Sequence, residues 1–390
     1  MQLHRSRLSR ILVSVLVFAL FIPPGSASDD PGTAVIMREV YDAIAYLLPL
    51  SLRNSDDGSE WDQELIEQKL ETLKQATAAL SAHTAGEDGE MRYIARSFEQ
   101  MTADVDKAFT NEWPEFAYFS VMDLVQHCVA CHSRVEAPSQ ALFGQRLIAR
   151  MDTREIPPAD VVRLYIATRQ FDAAVRTLEK LLMATDLHPI EADYTSLMID
   201  YLQITIAAKR SPDMAREFLR RYLSRGDSPY YLKRRFDFWI ESLERFRPDI
   251  EAAPNLARAR EIFAEADGLS PGPGNRMGAV HDVTSASILR RYLDESGDRE
   301  PAELHDAYYM LGVIALRTLE PKSAVPEMEM LLAASIRAHP TGEHALAAYA
   351  LIEEYGYVHE EHLATDDAAQ TLLDMNELRG LLGSRLQPAS

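Results

Sequence analysis

Cysteine is nearly absent from this chain: two of its 390 residues are cysteines, Cys128 and Cys131. Folds that depend on disulfides carry several cysteines spread along the chain. Two cysteines separated by only two residues cannot form such a framework, so the fold must depend on a packed core. Both cysteines therefore belong to one local motif.

Positive charge is also scarce, because 40 Lys and Arg residues face 60 Asp and Glu residues and the formal net charge is −20. Binding to nucleic acid requires a basic surface against phosphate, so nucleic acid is not an expected partner. An acidic surface favours solubility and also suits docking to a basic redox partner. One basic cluster is interpreted as a solvated helical face, or alternatively as a docking site for an acidic partner or lipid headgroups. It consists of Arg220, Arg221, Arg225, Lys233, Arg234 and Arg235.

No apolar run reaches the length of about 20 residues that spans a bilayer. The run at residues 11–22 follows three arginines and precedes a Pro-Pro-Gly sequence. This layout predicts a cleaved secretory signal peptide over residues 1–28, with an uncleaved N-terminal anchor as the alternative. We therefore expect an exported, periplasmic protein whose mature chain has no transmembrane segment.

Glycine and proline are sparse, at 17 and 20 residues, and the apolar residues recur three and four positions apart. This period predicts an all-α fold. The mature length exceeds what one core usually serves, so two domains are expected, over residues 29–150 and 151–390. In the first, breaks in the pattern separate four helices of similar length, which favours an up-down-up-down four-helix bundle. They cover about residues 33–52, 62–85, 90–111 and 114–137.

The second predicted domain has the spacing of tetratricopeptide-like helix pairs, in which a small residue lets two helices approach closely. One pair is indicated by Tyr165, Phe171, Ala174, Leu178 and Leu181, and a less faithful one by Leu311, Gly312, Ala324 and Leu331. A Ser-Pro-Gly-Pro-Gly linker lies at residues 270–274. The prediction is an irregular helical-repeat domain, with an ordinary helical domain as the alternative for its degenerate part.

The only two cysteines lie in the sequence His-Cys-Val-Ala-Cys-His, residues 127–132. Cys-x-x-Cys-His is the attachment pattern of c-type haem. On a helix, positions i, i+3 and i+4 share a face, so two thiols can reach the vinyl groups of one porphyrin edge while the imidazole lies under the iron. The motif predicts one covalent haem c, with thioethers from Cys128 and Cys131 and with His132 as axial iron ligand.

Three other chemistries are alternatives for the same motif. A thiol-disulfide redox pair normally begins a helix that follows a strand, where the helix N-terminus lowers the thiol pKa. Zinc bound by His127, Cys128, Cys131 and His132 would require the helix to unwind. A structural disulfide across one helical turn is sterically poor.

A four-helix bundle with Cys-x-x-Cys-His near the end of its last helix resembles the cytochrome c-prime family, the class II cytochromes c. The likeness covers about residues 33–137 and implies that the cysteines bind haem covalently and that the histidine is the axial ligand. Family members often carry an arginine four residues after this histidine, near a propionate, where this chain has Glu136. Arg134 is therefore the candidate propionate contact.

The second axial position of the iron has more than one candidate. In an antiparallel pairing of the first and fourth helices, the start of the first lies beside His132, which places Met37 at a matching height. The class II resemblance implies a methionine in this part of the first helix, and His-Met ligation raises the reduction potential. The alternatives are Met91, at the start of the third helix, and a five-coordinate iron that binds small gases.

No nucleophile triad, phosphate-binding loop or carboxylate pair stands out, so the chain is not expected to be an enzyme. We predict a periplasmic monohaem cytochrome for electron transfer whose helical-repeat domain binds a redox partner protein. A five-coordinate gas-binding haem protein is one alternative. A haem-free thiol-disulfide protein of cytochrome maturation is another, although such motifs do not need the imidazole of His132. Bundles of this type often dimerise, and a homodimer remains open.

Overall fold

The computed structural model describes residues 32–51, 62–84, 89–111, 114–132, 142–149, 151, 153–154, 156–184, 194–226, 228–269, 276–295, 299–318, 321–360 and 375–386. Within these ranges the chain forms helices and no strand, which confirms the predicted all-α fold. The predicted signal peptide and the linker at 270–274 lie outside the described residues.

The first six helices are α1 (Thr33–Ser51), α2 (Gln63–His83), α3 (Gly89–Thr110), α4 (Pro114–His132), α5 (Leu142–Ile148) and α6 (Pro158–Ala167). They are followed by α7 (Phe171–Leu182), α8 (Tyr194–Leu202) with a π-helical continuation (Gln203–Ala208), α9 (Pro212–Leu223), α10 (Tyr230–Glu251) and α11 (Leu256–Leu269). The last described helices are α12 (Ala279–Asp294), α13 (Pro301–Thr318), α14 (Pro321–Ala338), α15 (Ala345–Glu360) and α16 (375–382), which ends in a 3₁₀ turn (Gly383–Leu386).

Helices α1 to α4 pack in chain order, and α1 also contacts α4. Their apolar stripes meet in a first core that includes the fully buried Ile36, Leu47 and Leu73. Asp62 fixes the start of α2, because its side chain accepts a hydrogen bond from the backbone N–H of Leu65 at 3.1 Å. The predicted start of the first helix, at about residue 33, coincides with the observed one, and α4 begins at Pro114 itself, whereas the prediction began just after it.

The second core extends from α6 to α16. Helix α6 takes part in both cores, since Val161 and Leu164 face the first while Val162 and Ile166 face the second. One face of this short helix is thus buried in the first core, and the opposite face is buried in the second. Helix α6 also packs against both α4 and α7.

Small residues allow close helix approach in the second core. A Cβ atom on Gly312 of α13 would lie 2.7 Å from a side-chain carbon of Leu332 of α14, so a larger residue there would force Leu332 to move. Ala174 and Leu178 of α7, which the repeat spacing singled out, are fully buried. Across the described helices, none has both the length and the apolar character needed to cross a membrane.

Candidate functional site

The last turn of α4 carries Cys128 and His132, whose side chains are only 4 and 5% exposed. The side chain of Cys128 packs in the first core, and its Sγ lies 3.9 Å from the carbonyl oxygen of Leu124. The backbone of Cys131 belongs to the same helix, whereas its side chain lies outside the described part. The helical spacing of i, i+3 and i+4 that the haem interpretation requires is therefore present.

The imidazole of His132 is held by groups from two other helices. Its Nδ1 lies 2.5 Å from the carbonyl oxygen of Ala167, at the end of α6. The hydroxyl of Tyr41, on α1, lies 3.2 Å from the same Nδ1 and donates to the same carbonyl. Because a carbonyl only accepts hydrogen bonds, the proton of the neutral ring belongs on Nδ1. This assignment leaves the lone pair on Nε2.

The carbonyl of Ala167 is available because of how α6 ends. In a Schellman turn, the N–H of Gln170 donates to the carbonyl of Tyr165 at 2.7 Å, and the N–H of Arg169 donates to that of Ile166 at 2.9 Å. These bonds satisfy the carbonyls just before Ala167. The last helical carbonyl remains without a backbone donor, and His132 and Tyr41 supply the donors instead.

The same turn is fixed from the side of α5. Arg169 adopts a positive φ of 55°, the left-handed conformation that ends a helix in this way. A Cβ on Gly144 of α5 would lie 2.6 Å from the carbonyl oxygen of Thr168, so glycine is needed for this close contact. The side chain of Gln170 donates to the carbonyl of Gly144 at 3.1 Å. The conformation of Arg169 and the contacts with Gly144 of α5 together fix the position of the Ala167 carbonyl.

Burial lowers the pKa of His132 from 6.5 to about 4, and the nearby charge of Arg169 acts in the same direction. The hydrogen bond to Ala167 opposes this shift. The imidazole is consequently neutral at pH 7, which is the form that binds iron. A cysteine one turn before a neutral imidazole with its lone pair on Nε2 fits the donor set of a covalent haem.

His127 faces a different helix from His132. Its Nε2 lies 2.8 Å from the hydroxyl of Ser97 on α3, and its ring stacks on Phe98. The two histidines of the motif therefore diverge, which argues against a zinc site that uses both. Among the described residues, no group of three or more His, Cys, Asp or Glu side chains is arranged to hold a metal ion.

A second polar link joins α4 to α6. The hydroxyl of Tyr118 donates to a carboxylate oxygen of Asp160 at 2.5 Å, and Arg163 pairs with the other oxygen at 2.8 Å. Burial and the bond to Asp160 raise the pKa of Tyr118, so this hydroxyl stays protonated. Helix α6 is thus attached to α4 near both ends, through Tyr118 and through His132.

Met37 lies on α1, one turn before Tyr41 and on the same face. It is half-buried against the first core. Arg134 lies outside the described residues, and of Met91 only the backbone, in α3, is described. The structure therefore brings Tyr41 and Ala167 to His132, and it places Met37 one turn before Tyr41 on α1.

Comparison with known proteins gives no further guidance. No family model, no curated protein and no solved structure matches the chain. The class II resemblance accordingly depends on the motif and the helix pattern alone.

Sequence reasoning missed Tyr41, Ala167 and Arg169 as parts of the site. A tyrosine one turn beyond Met37 was a weak signal, because aromatic residues commonly fill helix interfaces. The role of Ala167 involves its backbone, which no side-chain pattern reveals. The left-handed arginine was equally hidden, since glycine is the usual residue at that position.

The basic cluster of α9 and α10 is largely engaged within the protein. Arg221 pairs with Glu179, Arg220 lies 3.9 Å from Glu244, and Arg225 donates to the carbonyl of Leu182 at the end of α7. These contacts, made by side chains such as Arg220 and Arg221 that are about half exposed, agree with the interpretation of the cluster as a solvated helical face.

Proposed function

We propose that this protein is an exported monohaem c-type cytochrome. The observation that carries the proposal is the hydrogen bond from Nδ1 of His132 to the Ala167 carbonyl, one helical turn after the buried side chain of Cys128. Iron-binding histidines typically donate their second ring N–H to a carbonyl or carboxylate, which fixes the tautomer and the ring orientation. An ordinary structural histidine has no need of two thiols beside it at this spacing.

In this proposal each residue has a distinct task. Cys128 and Cys131 form the thioether anchors, and Nε2 of His132 binds the iron. Tyr41 and Ala167 hold the imidazole in one orientation. The bound haem supplies a one-electron couple, and the surrounding apolar core limits water around it.

At the level of architecture, we propose that α1 to α4 form a bundle of the class II cytochrome type within residues 29–150. The packing of α1 on both α2 and α4 supports this arrangement. Residues 151–390 would then form a tetratricopeptide-like domain that docks a redox partner, a role based on fold analogy. The signal peptide at residues 1–28 would deliver the chain to the periplasm, where haem is attached.

Covalent haem attachment is the direct test. The exported, purified chain is expected to keep its Soret band after acidified-acetone extraction, because thioether bonds survive where ligation alone does not. The Cys128→Ala variant should lose at least one of the two thioethers and show a shifted pyridine-haemochrome band. The double variant Cys128→Ala, Cys131→Ala should release all haem on extraction.

His127→Gln is the matched control, because it changes the neighbouring histidine that faces Ser97. This variant should retain extraction-resistant haem. A colourless wild-type protein with two titratable thiols would overturn the proposal and favour the thiol-disulfide alternative.

Met37→Ala tests the sixth ligand. If the thioether of Met37 binds the iron, the variant should change from a low-spin to a high-spin spectrum and bind carbon monoxide after reduction. Met101→Ala, which changes a half-buried methionine of α3 in the same core, should keep the low-spin spectrum. An unchanged Met37→Ala spectrum would exclude Met37, and a high-spin wild type that binds carbon monoxide would favour the gas-binding alternative.

A further inference from the structure

Helix α6 connects the candidate haem motif to the rest of the protein. Its residues pack in both cores, and its last carbonyl accepts from His132 of α4. The group that orients the axial imidazole thus comes from outside α1 to α4. Nothing in the Cys-x-x-Cys-His motif specifies this contact.

Two donors share that one carbonyl. The hydroxyl of Tyr41 and Nδ1 of His132 both lie within hydrogen-bonding distance of the oxygen of Ala167. Two donors on one acceptor compete for its electron density, so each bond is weaker than it would be alone. Tyr41 therefore limits how strongly the carbonyl polarises the N–H of His132.

The strength of that N–H bond matters for iron. A stronger acceptor at Nδ1 makes the imidazole a more basic ligand, and a more basic ligand favours ferric over ferrous iron. We propose that Tyr41 and the C-terminal turn of α6 set the reduction potential of the haem through His132. Tyr41 is a positioning residue that keeps the potential higher than the carbonyl alone would allow. This inference rests on the proposed function.

The contact also couples the two cores. Any partner that shifts α6 by packing against the second core moves the Ala167 carbonyl relative to His132, and so changes the potential. By linkage, the oxidation state of the haem changes the affinity for that partner by the same factor. The second core is then part of the redox site as well as a docking domain.

The test is the midpoint potential of the full haem-bearing chain with Tyr41→Phe. Without the Tyr41 hydroxyl, the carbonyl of Ala167 no longer shares its oxygen between two donors, and its bond to the N–H of His132 becomes stronger. The reduction potential of the haem should therefore fall. At a fixed solution potential, the ratio of reduced to oxidised protein should drop by about three- to tenfold. This corresponds to a midpoint potential lower by about 30–60 mV for one electron.

Tyr118→Phe is the matched control. It removes the tyrosine hydroxyl of α4 that donates to Asp160 of α6, and this hydroxyl lies far along α4 from His132. It removes a hydrogen bond at the opposite end of α6 and leaves the turn at Ala167 in place, so the potential should stay within experimental error. A Tyr41→Phe potential equal to that of wild type, or a shift shared equally by Tyr118→Phe, would overturn the inference.

A haem-free measurement separates this inference from the proposed function. In the double variant Cys128→Ala, Cys131→Ala, ¹⁵N NMR of the histidine ring should place the proton of His132 on Nδ1. Adding Tyr41→Phe should move that proton resonance downfield as its bond to Ala167 strengthens. A proton on Nε2 would overturn the inference even if wild type carries haem, whereas wild type without covalent haem would overturn the proposed function and the inference together.

Discussion

Replacing Arg317 with methionine is expected to lower the free energy of unfolding at about pH 8 by about 3–5 kcal/mol. Arg317 of α13 is 9% exposed and donates to Asp282 of α12, at 3.3 Å, and to Asp267 of α11. Its guanidinium also lies 5.1 Å from the ring centre of Phe263. One side chain thus joins three helices. At this pH, above the pKa of about 7 that burial gives Asp282, the buried carboxylate is ionised, and without Arg317 it loses its cation. Urea unfolding followed by circular dichroism measures the loss.

Arg260→Met is the matched control for this prediction. Arg260 pairs with Asp306, but about half of its side chain is exposed. Exposed pairs contribute about 0–1 kcal/mol, so this variant should remain close to wild type. Equal losses for Arg317→Met and Arg260→Met would contradict the role given to the buried pair.

Asp282→Asn is expected to remove a pH dependence of stability between about pH 4 and 7. Burial raises the pKa of Asp282 from 3.8 to about 7, although Arg317 acts in the opposite direction. Between these values the folded chain binds a proton that the unfolded chain does not, so the contribution to stability is lost as pH rises toward 7. The loss is up to about 1.4 kcal/mol for each pH unit.

The measurement is the difference in unfolding free energy between the variant and wild type across this pH range. Relative to wild type, the unfolding free energy of the variant should increase from pH 4 to pH 7. Above that range the difference between the two proteins should stay constant. Asp267→Asn is the control for the loss of a charge. It removes the other carboxylate that pairs with Arg317, and the side chain of Asp267 is 70% exposed. Parallel profiles for Asp282→Asn and wild type would contradict the prediction.

Much of the local structure could be predicted from the sequence, because apolar residues that recur three and four positions apart indicate a helix. The stripe of Ile36, Val40 and Leu47 is buried in α1, and α4 extends through the whole Cys-x-x-Cys-His motif. Gly312 was singled out by its spacing, and it lies at a helix crossing. In each of these places the signal lies within a few residues of one helix.

The arrangement around His132 could not be predicted in the same way. His132 is 91 residues from Tyr41 and 35 from Ala167. No local pattern brings these together, and one of the contacts uses a backbone carbonyl that every residue type possesses. The link between Arg317 and Asp282 is likewise long-range, and formal charges alone do not reveal which pairs are buried.

By itself, the sequence determined an all-helical chain and placed two thiols and an imidazole on one helical turn, because both features follow from residue spacing. Only the tertiary structure decided what holds that imidazole. The Schellman turn that ends α6 frees the carbonyl of Ala167, and packing against α4 brings it to His132. Such a contact depends on where two distant helices meet, and this is settled by the burial of side chains along the whole of both helices.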